Sequence, residues 1–119
     1  MGSNPPFLCS DAGAVVVDVH TRRIYSPIME FTWSERKRAL NLKQHKLDFI
    51  DAPQVFEGVT YTFEDDRFSY REQRFVTLGL LVGIPVSIVH TESEHEIRII
   101  SFRKATKGEA EIYFREVRN

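Results

Sequence analysis

Three short runs between residues 74 and 103 have the pattern of β-strands. Residues 74–81, 85–91 and 96–103 are rich in Val, Ile, Thr and Phe, and each run ends at turn-forming or charged residues. The connections between them are only a few residues long, and the first contains Gly83. Parallel neighbours need a long crossover. The pattern therefore predicts an antiparallel three-stranded meander.

The last of these runs carries cationic residues within an apolar strand. If the strand is regular, its side chains alternate between two faces. The first face would then consist of Ile97, Ile99, Ser101 and Arg103, and the second of Arg98, Ile100 and Phe102. Two interpretations stay open for the arginines. Either their guanidinium groups extend from the strand ends over apolar stems, or they form a cationic sheet surface that binds phosphate.

The segment before the meander begins with a strand and a helix. Residues 30–33 are the expected strand, and Ser34 is a favourable N-cap for a helix that runs to about His45. The apolar stripe of this helix is predicted to contain Ala39 and Leu42.

A shorter second helix is expected to start at Asp48 or Asp51, because Pro53 is tolerated only in a first turn. It should end near Phe56, and residues 59–63 then alternate like a further strand. The residues expected to be buried here are Phe49, Ala52, Val55 and Phe56.

The chain ends in a third predicted helix. Thr106 and Glu109 have the spacing of a capping box, which starts helices. Its apolar stripe consists of Ala110, Tyr113, Phe114 and Val117. The predicted order is β-α-α-β-β-β-β-α. This order indicates an α+β fold with two N-terminal helices and one C-terminal helix on a twisted antiparallel sheet.

Residues 1–28 differ from the remainder of the chain. They open with a Gly/Ser/Asn/Pro-rich stretch and contain one apolar run, residues 14–19, which is too short and too charged at Asp18 for a secretory signal. We expect residues 1–28 to be an N-terminal extension, either peripheral or introduced by cloning, before one domain at residues 29–119. The run at 14–19 either adds a strand to an exposed sheet edge or belongs to a mobile segment.

Composition narrows the possible functions. The chain has 119 residues and a net charge of −1, so any affinity for nucleic acid must come from a local patch. Cys9 is the single cysteine, which excludes an intramolecular disulfide and fits a reducing compartment. No Cys/His cluster has zinc-finger spacing, and no apolar run approaches the length of a membrane span.

Four segments carry a more specific signal. They are FTWSERKRALNLKQH (31–45), LDFIDAPQVFEG (47–58), EQRFVTLGLL (72–81) and IVHTESEHEIRIISFRKAT (88–106). The last contains the most specific run, R-I-I-S-x-R-x-A, at residues 98–105. Together these segments resemble the BrnT family of toxins from bacterial type II toxin–antitoxin systems.

The resemblance implies a RelE-like fold and a metal-independent endoribonuclease that needs no cofactor. It also implies a cytoplasmic protein with an RNA substrate and no membrane partner. The second implied partner is a BrnA-like ribbon-helix-helix antitoxin. Through that antitoxin the toxin would reach operator DNA and co-repress its own operon.

RNA cleavage of this kind requires the ribose 2′-OH to attack the adjacent phosphate. A base, an acid and cations that hold the developing charge are then needed. His45 is the candidate acid or base, and the candidate phosphate clamps are Arg74, Arg98 and Arg103. The candidate substrate-binding residues are Lys43, Lys46, His90, Thr91, Ser101 and Lys104.

Departures from the family pattern keep other functions open. Members commonly have Lys-His-Gly where this chain has Gln44-His45-Lys46. The protein is therefore alternatively a catalytically decayed module that only binds the antitoxin.

A small metal-dependent hydrolase is a third possibility, and it would use the adjacent carboxylates Glu64, Asp65 and Asp66.

Overall fold

A computed structural model of the chain describes residues 16–18, 23–25, 29–66 and 71–118. Within the N-terminal segment, strands β1 (Val16–Asp18) and β2 (Arg23–Tyr25) pair with each other as an antiparallel two-stranded sheet. The described part of the apolar run at 14–19 thus belongs to its own small sheet. The other residues of 1–28 lie outside the described residues, and their assignment as an extension stays a prediction.

Within the described residues, the main sheet has five strands. In chain order they are β3 (Glu30–Thr32), β4 (Tyr61–Glu64), β5 (Phe75–Leu81), β6 (Ile84–Glu92) and β7 (Glu96–Lys104). In the sheet their order is β3-β7-β6-β5-β4. The antiparallel meander of β5, β6 and β7 is confirmed.

The sheet as a whole is mixed, because β3 pairs with β7 in parallel. The prediction of an antiparallel sheet is wrong for this pair. Short connectors force antiparallel neighbours, but almost the entire domain separates β3 from β7 along the chain. A connection of that length permits either direction.

The described part of the domain also contains three helices: α1 (Glu35–His45), α2 (Ala52–Phe56) and α3 (Lys107–Val117). Along residues 30–117 the elements run β-α-α-β-β-β-β-α, with a 3₁₀ turn at Phe49–Asp51 before α2.

The helix ends follow local chemistry. The Ser34 hydroxyl accepts a hydrogen bond from the Lys37 amide, and α1 stops where Lys46 adopts a left-handed conformation with φ of 63°. Asp48 caps the 3₁₀ turn through the Ile50 amide, whereas Asp51 precedes α2 without a side-chain hydrogen bond. The capping box of Thr106 and Glu109 is confirmed at the start of α3.

One face of the main sheet packs against the 3₁₀ turn and α2, and we call it the α2 face. The four predicted core residues Phe49, Ala52, Val55 and Phe56 are all buried there. They contact strand residues of β6 and β7, namely Val86, Ile88, Ile97, Ile99 and Phe102. Burial of large apolar side chains makes this cluster the main source of stability.

Helix α1 buries a different side from the predicted one. Ala39 is exposed and Leu42 is 41% exposed, whereas Asn41 is buried. The Asn41 side chain donates to the Phe102 carbonyl at 2.7 Å and accepts from the Phe102 amide at 3.1 Å. The prediction was wrong because α1 meets an open backbone edge of β7, and a side-chain amide satisfies such an edge.

The opposite face of the sheet is covered by α3, and we call it the α3 face. Tyr113 packs there with Val76 and Leu78, and its hydroxyl donates to the Val59 carbonyl at 2.9 Å. Phe114 was predicted to belong to the apolar stripe of α3, but it is 48% exposed.

Candidate active site

A bulge in β7 decides which of its side chains share a face. Val89 pairs with Ser101, and the next residue, His90, pairs with Ile99, so Ile100 has no partner on β6. An extra residue of this kind reverses the alternation of side chains beyond it.

The bulge places Arg98 and Arg103 on the same face of the sheet. Arg98 pairs with Thr91 and Arg103 with Ser87. These partners, Thr91 and Ser87, each lie two residues from Val89, so all three side chains are on one face of β6. Val89 packs in the cluster beneath α3. The two arginines therefore lie on the α3 face. The prediction that they occupy opposite faces is wrong, because it assumed a regular strand.

Arg74, Thr91 and Arg98 form a row across β5, β6 and β7, which we call the arginine row. Thr91 pairs with Arg98. Arg74 immediately precedes β5, whose first residue pairs with His90, so the same ladder places Arg74 opposite Thr91. The Asp65 amide donates to the Arg74 carbonyl at 2.8 Å, which continues the strand pairing. The Cα atoms of the two arginines are thus roughly 10 Å apart.

The two arginines of the row have different surroundings. Arg98 is exposed, and among the described residues none forms a hydrogen bond or ion pair with its guanidinium group. The Arg74 side chain is 27% exposed, and its Nη2 atom lies 3.8 Å from the Glu72 carboxylate. Arg74 is two residues before Val76 of the α3 cluster, so its side chain belongs to the same face as Arg98.

A carboxylate lies beside Arg98. Glu96 is two residues earlier on β7 and on the same face, and its Oε2 atom accepts a hydrogen bond from the Thr32 hydroxyl at 2.5 Å. Thr32 itself pairs with Arg98 across the parallel ladder. Glu96 was not among the predicted site residues. The spacing Glu-x-Arg within a strand was the available signal, since a period of two puts both side chains on one face.

Arg103 lies apart from the arginine row and is already paired. Its two Nη atoms donate to the two carboxylate oxygens of Glu109, each at 2.9 Å. The Arg103 hydrogen bonds lower the pKa of the Glu109 carboxyl from its usual range. The β6 partners of Arg103 and Arg98 are four residues apart, so the two arginines are separated by roughly 13 Å along the sheet. Half-buried Ser101 lies between them. In this conformation a carboxylate occupies the position expected for a phosphate.

His45 lies at another part of the surface. Helix α1 begins shortly after Thr32, which pairs with Arg98 of β7. Further along the helix, Asn41 binds the backbone of Phe102, so α1 runs along β7. His45 is one turn beyond Asn41, which places it on the order of 15 Å from Arg98. Basic residues near this end of α1 and β7 form a group that we call the basic end: Lys43, His45, Lys46 and Lys104.

His90 is a core residue. Its exposure is 0%, and its ring lies against the rings of Phe56 and Phe75 on the α2 face. Its Nε2 atom is 2.7 Å from the Thr77 hydroxyl, and its Nδ1 atom is 3.4 Å from the Glu92 carboxylate. The expected contact of His90 with substrate does not fit this burial. The hydrogen bond with Thr77 instead holds the imidazole inside the core.

The three adjacent carboxylates do not converge. Asp65 is buried, whereas Glu64 and Asp66 are exposed, as alternation along an extended chain requires. In the described part of the chain, no group of three His, Cys, Asp or Glu residues is arranged to hold a metal ion. None of the helices in that part has the length and apolar character needed to cross a membrane.

Comparison with known proteins identifies the family. A family model described as the ribonuclease toxin BrnT of type II toxin–antitoxin systems matches residues 33–109. Among curated proteins, none matches the chain. The matched segment is more than half of the chain, and it contains the arginine row and Glu96. The chain therefore belongs to the BrnT family of ribonuclease toxins, which implies an RNA target and a partner antitoxin.

Proposed function

We propose that this protein is an endoribonuclease toxin that cleaves RNA without a metal ion, by attack of a ribose 2′-OH on the adjacent phosphate. The arginine row is the observation that supports this most directly. Arg98 extends from β7 and Arg74 from the residue before β5, on either side of Thr91. A guanidinium fork matches two phosphate oxygens, so the row suits one bent ribonucleotide backbone.

The chemical contribution of the row is electrostatic. Negative charge grows on the phosphate oxygens as the 2′-oxygen attacks. Donors that are already in position stabilise that charge without reorganising, and one such donor is worth on the order of 10²- to 10³-fold in rate. The Thr91 hydroxyl, half-buried between the arginines, orients the phosphate.

The basic end serves a different purpose in this proposal. Lys43, His45, Lys46 and Lys104 contact the phosphates of the flanking RNA. His45 was the expected acid or base, but its distance from Arg98 fits a binding role better than a shared chemical step. Phosphate contacts of this kind supply affinity and position the chain.

The proposed partner is a ribbon-helix-helix antitoxin of the BrnA type. It would neutralise the toxin by covering the arginine row, and exposed Arg98 is accessible to such a partner. The complex would bind operator DNA through the antitoxin and co-repress the operon. We further propose a RelE-like topology for the domain and action on RNA in the cytoplasm.

Cleavage by the purified protein tests the proposal. A single-stranded RNA should be cut in the presence of a chelator, and the product should end in a 2′,3′-cyclic phosphate. Substituting 2′-deoxyribose at the cleaved position should stop the reaction, because the nucleophile is missing. Arg98→Ala and Arg74→Ala should each slow cleavage by about 10²- to 10³-fold.

Arg115→Ala is the matched control, because Arg115 is a 68% exposed arginine on α3 whose ion-pair partner is its neighbour Glu116. It should cleave at the wild-type rate. Activity that disappears with chelator would contradict the metal-independent mechanism.

The second candidate function is the decayed antitoxin-binding module. It is favoured by one observation, the engagement of Arg103 by Glu109, which removes one of the three expected clamps. Wild-type protein that binds antitoxin but leaves RNA intact, with no growth arrest on expression alone, would establish this module and exclude the nuclease.

A further inference from the structure

The acid–base chemistry of the proposed cleavage requires a proton acceptor beside the arginine row. His45, the candidate acid or base, lies at the basic end, and His90 is fully buried on the α2 face, so neither histidine is suitably placed for that role. Glu96 is two residues from Arg98 on the α3 face, and Cα atoms with that spacing in a strand are about 7 Å apart. A carboxylate at this position reaches the ribose next to a phosphate held by Arg98.

The surroundings of Glu96 suit a base. Thr32 donates a hydrogen bond to its Oε2 atom, which fixes the carboxylate without neutralising its charge. In the described part of the chain neither Arg98 nor another cation forms an ion pair with Glu96. Glu72 has the same spacing from Arg74, but it lies outside β5 and its carboxylate faces the guanidinium group at 3.8 Å.

From these positions we infer that Glu96 is the general base of the proposed ribonuclease and that Thr32 is its positioning residue. The inference rests on the proposed function. Oε1 of Glu96 takes the proton of the 2′-OH while the 2′-oxygen forms a bond to phosphorus. The bond from phosphorus to the 5′-oxygen breaks, and that oxygen takes a proton from water. The hydroxide left behind takes the proton from Glu96, which restores the carboxylate. The products are a 2′,3′-cyclic phosphate and a 5′-hydroxyl, and Arg98 holds the charge on the phosphate throughout.

The decisive variant is Glu96→Gln, which keeps the shape of the side chain and removes its basicity. Its single-turnover cleavage rate should fall by about 10²- to 10⁴-fold, the usual contribution of a general base. Binding of a 2′-deoxy analogue of the RNA, which carries no nucleophile, should stay within about threefold of wild type or become tighter, because a negative charge near phosphate is removed.

Glu30→Gln is the matched control. Glu30 pairs with Glu96 across the ladder and is exposed, so the substitution removes the same charge one strand away. It should leave the cleavage rate unchanged within about threefold. An equal loss in both variants would overturn the inference, since the effect would then be general electrostatics rather than proton transfer.

Thr32→Val tests the positioning role, and it remains a test of the inference if the Glu96→Gln protein does not fold. It should lower the cleavage rate by at least about tenfold without weakening the binding of the 2′-deoxy analogue, and Thr32→Ser should keep most of the activity. Full activity in Glu96→Gln, alongside slow cleavage by Arg98→Ala, would refute the role of Glu96 and leave the nuclease intact. Full activity in Thr32→Val would refute the positioning role of Thr32. Wild-type protein that does not cleave RNA would refute both.

Discussion

At the residue scale, the Asn41 side chain forms the hydrogen bonds that a neighbouring strand would otherwise form with β7. Strand β3 ends at Thr32, opposite Arg98, and leaves the backbone of β7 unpaired further along that edge. The Asn41 amide reproduces both missing strand contacts at Phe102 and also donates to the Leu47 carbonyl at 3.0 Å. One polar side chain therefore satisfies buried groups that would otherwise be orphaned.

Removing that amide is expected to be costly. Asn41→Ala should lower the free energy of unfolding by about 2–4 kcal/mol, because the buried amide and carbonyl of Phe102 lose their partners. Urea unfolding followed by circular dichroism measures the change. Leu42→Ala, on the same helix but 41% exposed, should change it by less than about 1 kcal/mol. A loss below 1 kcal/mol in Asn41→Ala would mean that water replaces the amide.

The ion pair of Arg103 and Glu109 makes stability depend on pH. The pKa of Glu109 is lowered in the folded protein, chiefly by its hydrogen bond with Arg103. A carboxyl group whose pKa is lowered by folding stabilises the protein at pH values above its unfolded pKa of about 4.3. This stabilisation is lost as the pH falls through the pKa of the folded state.

Glu109→Gln isolates this contribution. At pH 7 the variant should be less stable than wild type by about 1–2 kcal/mol, and the difference should shrink as the pH falls from 4 to 2. Urea midpoints at several pH values give the comparison. Glu111→Gln, an exposed change on the same helix, should follow the wild-type curve. A difference between Glu109→Gln and wild type that is constant with pH would exclude the ion pair as its source.

At the element scale, α2 approaches β5 through a glycine. A Cβ atom added at Gly79 would lie 2.6 Å from Cγ1 of Val55, so only glycine permits this contact between helix and strand. Gly108 in the first turn of α3 is the opposite case, because its added Cβ would meet nothing closer than the Thr106 hydroxyl at 4.0 Å.

These two glycines predict opposite signs for the same substitution. Gly79→Ala should destabilise the protein by about 1–3 kcal/mol through overpacking. Gly108→Ala should stabilise it by about 0.5–1 kcal/mol, because alanine is the better helix former. Thermal or urea unfolding of both variants distinguishes the effects. If both glycine variants destabilised alike, the close approach of α2 would not be the cause.

Local patterns were sufficient for most elements and insufficient for their pairing. The meander and the capping box of Thr106 were predictable because turns, caps and periodicity act over a few residues. The bulge at Ile100 was not predictable, because the strand has apolar residues on both faces whether or not its side chains alternate regularly. The parallel position of β3 beside β7 was equally inaccessible, because it depends on contacts distant in sequence.

At the scale of the whole molecule, the arginine row and the basic end are separate cationic regions on a chain with a net charge of −1. Global attraction to RNA is therefore absent, and each region must act locally. Paired strands carry Thr91 and Arg98 of the row, whereas the basic end surrounds the C-terminus of a helix.

This separation predicts a division between binding and chemistry. The combined variant Lys43→Ala, Lys46→Ala and Lys104→Ala should weaken RNA binding and reduce the slope of log K against log salt by about 2, given roughly 0.7 per phosphate contact on single strands. Its cleavage rate at saturating RNA should equal that of wild type. Arg115→Ala serves again as control. A lower saturated rate in the lysine variant would place the basic end within the chemical step.

The sequence by itself determined the element order of residues 30–117, the core of Phe49, Ala52, Val55 and Phe56, and membership of the family, because these depend on local patterns. The tertiary structure alone decided that Arg98 joins Arg74 while Arg103 binds Glu109, that His90 is buried, and that Asn41 faces β7. The reason is that strand register and face are selected by packing between distant segments. A change of register by one residue transfers a side chain to the other side of the sheet at no local cost.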